Sequence, residues 1–102
     1  MNQEKMTSML NNLTQLKDEL LLKANLGAAE AQEQLNELQP LLDDLKEKVS
    51  KIADVTGDSA SELKAAAELG IDAKSKEEID TALELAGEEL KEAYGKIKSI
   101  LS

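Results

Sequence analysis

Two stretches of sequence decide the fold: residues 35–52, LNELQPLLDDLKEKVSKI, and residues 79–100, IDTALELAGEELKEAYGKIKSI. Their apolar residues recur in alternating steps of three and four, which places them on one side of an α-helix. The two stripes consist of Leu35, Leu38, Leu42, Leu45, Val49 and Ile52, and of Ile79, Leu83, Ala86, Leu90, Ala93, Ile97 and Ile100. Heptad spacing of this kind is typical of coiled-coil seams, in which one helix buries its stripe against another. The sequence therefore predicts an all-α protein.

The composition also indicates one helical domain. The chain has 102 residues, enough for one modest core, and Tyr94 is its only aromatic residue. Leucine and alanine must therefore supply the core, and together with Glu, Lys and Gln they favour helices. We predict a single domain over residues 1–102, with helices at about 2–55, 59–69 and 76–101.

Pro40 is the main ambiguity within the first predicted helix. A proline inside a helix removes one hydrogen bond and usually kinks or ends the helix. Leu35, Leu38 and Leu42 nevertheless keep the same phase across Pro40. We therefore expect one long kinked helix that packs antiparallel on two shorter helices, in a dimeric helical bundle. The alternative is a monomeric helical bundle whose first helix breaks at Pro40.

Turn and cap signals separate the three predicted helices. Residues 55–59 contain a glycine and favour a turn. Ser59 and Glu62 then have the spacing of a capping box at the start of the second helix. Ser75 and Glu78 have the same spacing at the start of the third helix. These signals set the predicted helix boundaries.

The net charge of −9 restricts the partners. A nucleic-acid-binding protein needs a basic face, and none is visible because nearly every lysine lies within one helical turn of an acidic residue. Anionic membranes repel such a chain for the same reason. The N-terminal sequence has no basic segment followed by an apolar stretch, so we expect no signal peptide and a cytoplasmic location. The charge favours a basic or neutral protein partner.

No motif that carries chemistry is present. The chain has neither His nor Cys, which excludes the commonest nucleophiles, general bases and zinc ligands. We expect no cofactor and no metal, and we interpret the chain as a non-enzymatic structural or protein-interaction module. One alternative is an amphipathic protein that associates with lipids or another surface. A further alternative is an enzyme with an unrecognised carboxylate site.

The N-terminal third of the chain is the predicted interface of a homodimer. An unbroken first helix would be longer than the other helices can cover, and three of its leucines lie off the main stripe. Such uncovered apolar surface usually marks an interface. The interface candidates are Met6, Met9, Leu13, Leu16, Leu20, Leu21, Leu22 and Leu26. An unidentified second protein is the other expected partner.

Two segments resemble a group of small acidic all-helical bacterial proteins of unassigned function. The first is LKDELLLKANLGAAEAQEQLNELQPLLDDLKEKV, residues 16–49, in which a Leu-x-x-Glu-Leu opening leads through small residues into a leucine-repeat helix. The second is GEELKEAYGKIKSIL, residues 87–101, which is similar to the Leu-Lys-x-x-Tyr-x-x-Ile close of those proteins. The resemblance implies a helical fold and assigns no functional residue.

Overall fold

The computed structural model describes residues 3–55 and 58–101, and all regular secondary structure within them is helical. The elements are α1 (Gln3–Ala24), α2 (Ala29–Ala53), α3 (Ser59–Glu68) and α4 (Lys76–Leu101). They pack against each other in a bundle with extents of 49 × 22 × 17 Å. The all-α fold predicted from the two heptad stripes is confirmed.

The three long helices α1, α2 and α4 form the bundle, and α3 packs at one end of it. The side-chain nitrogen of Gln3 donates to the carbonyl of Ala53 over 3.3 Å, so α1 and α2 run antiparallel. The Lys5 Nζ lies 2.6 Å from the Glu84 Oε1, which brings the first turns of α1 to the first half of α4. Met9, one turn further along α1, packs on the next turn of α4, so these two helices run parallel.

The predicted helix over residues 2–55 is wrong, because the chain folds back on itself between Ala24 and Ala29. Gly27 adopts a φ of +125°, which no residue in a right-handed helix can have. The Gln32 side chain of α2 donates to the carbonyl of Ala24 over 3.0 Å and so caps the end of α1. Ala24 and Ala31 are fully buried, and their small side chains allow α1 and α2 to approach closely at the turn.

Pro40 neither ends α2 nor begins a new helix, so the alternative prediction of a break at this residue is also wrong. Leu35 and Leu42 are buried on either side of it, while Pro40 itself is exposed. The carbonyl of Asn36, four residues earlier, loses its helical partner on this exposed side, where solvent can hydrogen-bond to it. The long apolar stripe therefore holds α2 together across the proline.

Asp58 caps the N-terminus of α3. Its side chain accepts hydrogen bonds from the Ala60 N–H over 3.1 Å and from the Ser61 hydroxyl over 2.8 Å. These hydrogen bonds, that from the Ser61 side chain above all, lower the pKa of Asp58. Two residues of the predicted turn, Thr56 and Gly57, lie outside the described residues.

One predicted capping box is wrong and the other is partly formed. Ser59 is the first helical residue of α3 rather than its cap, and Glu62 is buried beside Lys76 instead of reaching back to Ser59. At the start of α4, the hydroxyl of Ser75 accepts from the Glu78 N–H over 3.3 Å, as predicted. Lys76 binds the carboxylate of Glu62, whereas the carboxylate of Glu78 accepts a hydrogen bond from the Lys74 N–H, so the same spacing gives two outcomes.

The end of α3 fixes the position of Ile71. Gly70 has a φ of +81°, the Gly70 N–H donates to the Ala67 carbonyl, and the Ile71 N–H donates to the Ala66 carbonyl over 2.8 Å. This pair of hydrogen bonds is a Schellman motif, in which an apolar residue after the glycine commonly packs back on the helix. Ile71 is half-buried against the core and lies at the surface between α2 and α4.

The buried stripe of α4 differs from the predicted one by a rotation of the helix. Its buried residues are Ile79, Leu83, Gly87, Leu90, Tyr94 and Ile97. The predicted stripe members Ala86 and Ala93 are half-buried, and Ile100 is 44% exposed. Because α4 packs against both α1 and α2, its most buried line runs between the two seams. The predicted stripe of α2 is buried throughout, except for half-buried Leu38.

Candidate protein-interaction surfaces

An apolar depression lies between α2 and α4, with a volume of about 220 Å³. The apolar residues at its walls include Leu38, Leu41, Ile71, Ala82, Ala86 and Ala93. Three alanines lie on the α4 side, and their side chains end at Cβ and leave the space opposite the leucines of α2 unfilled. Leu41 is 55% exposed at the edge of this depression. The packing of α2 on α4 thus leaves apolar side chains in contact with solvent.

A second depression of about 500 Å³ continues from the first toward the N-terminus of α2 and the C-terminus of α4. Leu38 and Ala93 line both depressions, which together we call the α2–α4 groove. The second depression is lined by five carboxylates, those of Glu30, Glu33, Glu37, Glu89 and Glu92. One half of the groove is therefore apolar, and the other is acidic.

The α2–α4 groove carries a net negative charge. Besides its five glutamates it is lined by Asp44 and by the cations Lys48 and Lys96, so the described residues that line it carry a net charge of −4. The Lys48 Nζ lies 2.9 Å from the Asp44 Oδ2, so these two charges largely neutralise each other at the apolar end. The uncompensated negative charge is consequently concentrated in the acidic half.

Another depression, of about 430 Å³, lies between α1 and α4. It is lined by the two cations Lys5 and Lys91 and by the two carboxylates of Glu84 and Glu88. The Lys5–Glu84 ion pair spans it, and the hydrogen bond and charge of Glu84 raise the pKa of Lys5. Because its charges balance, this surface selects no particular charge on a ligand.

The structure divides the eight predicted interface residues into three groups. In the core of the bundle lie Met6, Leu13 and Leu20. Half-buried against that core are Met9, Leu16 and Leu21. Leu22 and Leu26 are 71% and 90% exposed at the tip of the α1–α2 hairpin. The turn at Gly27 brings α2 over the apolar face of α1, which is why most of that face is used within the chain itself.

Residues 3–55 and 58–101 contain no group of three His, Cys, Asp or Glu residues that could hold a metal ion. Among the helices formed by these residues, none is long and apolar enough to cross a membrane. In comparisons with protein-family models, curated proteins and solved structures, the chain matches none. A functional interpretation therefore depends on the surfaces themselves.

Sequence reasoning missed the α2–α4 groove. Leu41 stands next to the α2 stripe without belonging to it, and the heptad spacing of α4 predicts Ala86 and Ala93 on the buried stripe. The available signal was the series Ala82, Ala86 and Ala93, which lies on one side of α4 at steps of four and seven residues. Small residues at that spacing, opposite the leucines of α2, indicate a shallow strip between two helices.

Proposed function

We propose that this chain is a non-enzymatic protein-interaction module that binds a partner protein in the α2–α4 groove. The observation that supports the proposal is the apolar half of the groove, where Leu41 is 55% exposed beside half-buried Leu38 and Ile71. Burial of apolar surface contributes about 25 cal/mol per Å², and concave surfaces lined by apolar side chains are typical of binding sites. A partner that covers these side chains would gain this free energy.

The residue types support binding rather than catalysis. The chain has no His and no Cys, the residues that most often act as general bases and nucleophiles at neutral pH. The carboxylates of the groove line an open surface rather than an enclosed cleft. The proposed role is accordingly to hold another protein.

A displayed library of randomised helical peptides tests the proposal. The library is selected on the wild-type protein, and the enriched peptides are then measured on Leu41→Asp and on Leu85→Asp. Leu85 is 53% exposed on α4 but lines none of the depressions described above, so it is a matched control for Leu41. We expect binding to weaken at least tenfold on Leu41→Asp and to stay unchanged on Leu85→Asp. A failure to enrich peptides, or equal effects of both variants, would contradict the proposal.

Self-association is a second candidate, favoured by the exposure of Leu22 and Leu26 at the hairpin tip. A two-fold contact between two tips would cover both leucines in each copy. Light scattering after size exclusion, at tens of micromolar protein, measures the mass. A dimer that dissociates in the double variant Leu22→Asp/Leu26→Asp would support tip-to-tip pairing, whereas a monomeric wild type would eliminate it.

A further inference from the structure

We propose that the partner of the α2–α4 groove is an amphipathic helix rich in Lys or Arg. This inference rests on the proposed function, because it assigns a chemical class to the ligand of the same site. Two independent features of the groove point to such a helix: its shape and the distribution of its charge.

The shape of the groove matches one helix. Its α2 wall extends from Glu30 to Lys48, a distance of about 27 Å at 1.5 Å per residue. A partner helix of about 18 residues has the same length. An amphipathic helix binds such a groove through apolar anchors at positions i, i+3, i+4 and i+7, which the leucines and alanines of the apolar half can contact.

The charge of the groove determines which residues accompany the apolar anchors in the partner helix. The acidic half presents the carboxylates of Glu30, Glu33 and Glu37 from α2 and of Glu89 and Glu92 from α4, and Lys96 is the one cation among the described residues that line it. Lys or Arg residues in the part of a bound helix that extends past the apolar anchors would lie over these carboxylates and pair with them. Complementary charges of this kind raise association rates and disfavour partners of the wrong sign.

The same charge disfavours the other occupants. A second copy of the chain has a net charge of −9 and would bring further negative charge to an already negative groove. Anionic lipid surfaces and nucleic acids would meet the same repulsion. A basic helical segment is the occupant that satisfies both the apolar half and the acidic half.

Fluorescence anisotropy with three labelled 18-residue peptides tests the inference. The first is an amphipathic helix with leucine anchors and lysines elsewhere. The second has the same anchors with glutamate in place of lysine, and the third is a scramble of the first without an apolar face. We expect only the first peptide to bind the wild-type protein, and its affinity to fall as salt is raised.

Variants of the groove provide the controls. Binding of the basic peptide should weaken at least tenfold on Leu41→Asp and on the double variant Glu33→Lys/Glu92→Lys. The double variant Glu19→Lys/Glu68→Lys changes the net charge equally at exposed positions outside the groove, and it should bind within about twofold of wild type. Circular dichroism establishes that each variant retains its helices.

Different failures have different meanings. If the glutamate peptide binds as well as the lysine peptide and Leu41→Asp abolishes both, the inference is wrong while the proposed function stands. If the scrambled peptide binds as well as the first, or both double variants weaken binding equally, the attraction is only a general effect of net charge and the inference is wrong. A wild-type dimer that Leu41→Asp dissociates would identify a second copy as the occupant and would also overturn the inference.

Discussion

Met9 of α1 lies directly over Gly87 of α4, so close that a Cβ on residue 87 would come within 2.2 Å of the Met9 sulfur and 2.9 Å of its methyl carbon. Glycine within a helix costs up to about 1 kcal/mol relative to alanine. Its presence in the middle of α4 is consistent with this contact, because the absent side chain leaves the space that Met9 occupies.

We expect Gly87→Ala to lower the free energy of unfolding by up to about 1 kcal/mol, because the half-buried Met9 side chain must turn aside and lose its packing on α4, which outweighs the gain in helix propensity. Gly95→Ala is the matched control, since a Cβ there would meet no described atom within 4 Å. That variant should raise the free energy of unfolding by about 0.5–1 kcal/mol. Urea unfolding followed by circular dichroism measures both changes.

The Gly87→Ala substitution in a Met9→Ala background tests whether Met9 causes the destabilisation. Removal of the sulfur and the methyl group makes room for a Cβ at residue 87, so Gly87→Ala should become stabilising in that background. The difference between the two backgrounds is the coupling energy of the pair. A stabilising effect of Gly87→Ala in the wild-type background would show that Met9 moves aside without cost.

Pro40 gives a second prediction. Pro40 is exposed within the continuous helix α2, and it removes the N–H that would bond to the carbonyl of Asn36. Pro40→Ala restores that N–H and should raise the free energy of unfolding by about 1–3 kcal/mol, after allowance for the greater entropy of the unfolded chain. Glu37→Ala, also exposed on α2, should change it by no more than about 0.5 kcal/mol. Thermal unfolding measures both, and a destabilised Pro40→Ala would contradict the prediction.

The stripes of α2 and α4 could be predicted because helical periodicity is a local property of the sequence. The hairpin turn could not be predicted in the same way. Ala24, Ala28 and Ala31 keep the phase of a helix through the turn, and a single glycine inside such a pattern is often tolerated. Only the packing of α2 on α1, together with the positive φ of Gly27, decides that the chain turns there.

The α2–α4 groove was beyond sequence reasoning for a different reason. A groove depends on how α4 is rotated between α1 and α2, and that rotation follows from contacts distant in sequence, such as the contact between Met9 and Gly87. The predicted stripe contains Ala86 and Ala93, whereas the buried residues are their neighbours Gly87 and Tyr94. Ala86 and Ala93 are therefore half-buried at the edge of the groove.

The ion pair of Glu62 and Lys76 makes stability depend on acid pH. Glu62 is 1% exposed, and its Oε2 lies 3.2 Å from the Lys76 Nζ. Burial by itself would raise the pKa of Glu62, but the hydrogen bond and charge of Lys76 contribute to a net lowering. Because the folded pKa lies below the unfolded one, the stabilisation is present above the ordinary value of about 4.3 and is lost as the pH falls through the folded value.

We therefore expect Glu62→Gln to reduce the free energy of unfolding by about 1–2 kcal/mol at neutral pH and by much less at pH values below the folded pKa of Glu62. Glu47→Gln is the control, because Glu47 and Lys51 form an exposed ion pair that solvent screens, so this variant should change the free energy of unfolding little at any pH. Urea unfolding across the acid range measures both variants. A loss for Glu62→Gln that is independent of pH would show that shape, and not charge, makes Glu62 necessary.

The ionisation of Tyr94 makes the stability of the protein depend on alkaline pH. It is fully buried, and its hydroxyl has no hydrogen-bond partner among the described residues. Burial raises the pKa of Tyr94, and the negative charges of Asp43 and Asp18 raise it further. Since Tyr94 is the only tyrosine in the chain, the ultraviolet absorbance of phenolate reports its ionisation alone. In urea the phenol should titrate near its ordinary value of about 10, and in the folded protein at a higher pH.

The raised pKa of Tyr94 also predicts the effect of Tyr94→Phe. A folded pKa above the unfolded one gives stability that is complete below about pH 10 and is lost as the pH rises through the folded value. Tyr94→Phe removes an unpaired buried hydroxyl, so it should leave the neutral protein unchanged or stabilise it by up to about 1 kcal/mol. The variant should also lose less stability than the wild type above pH 10, where lysines titrate equally in both proteins. Identical phenolate titrations with and without urea would contradict this account, because they would show that the hydroxyl reaches water in the folded bundle.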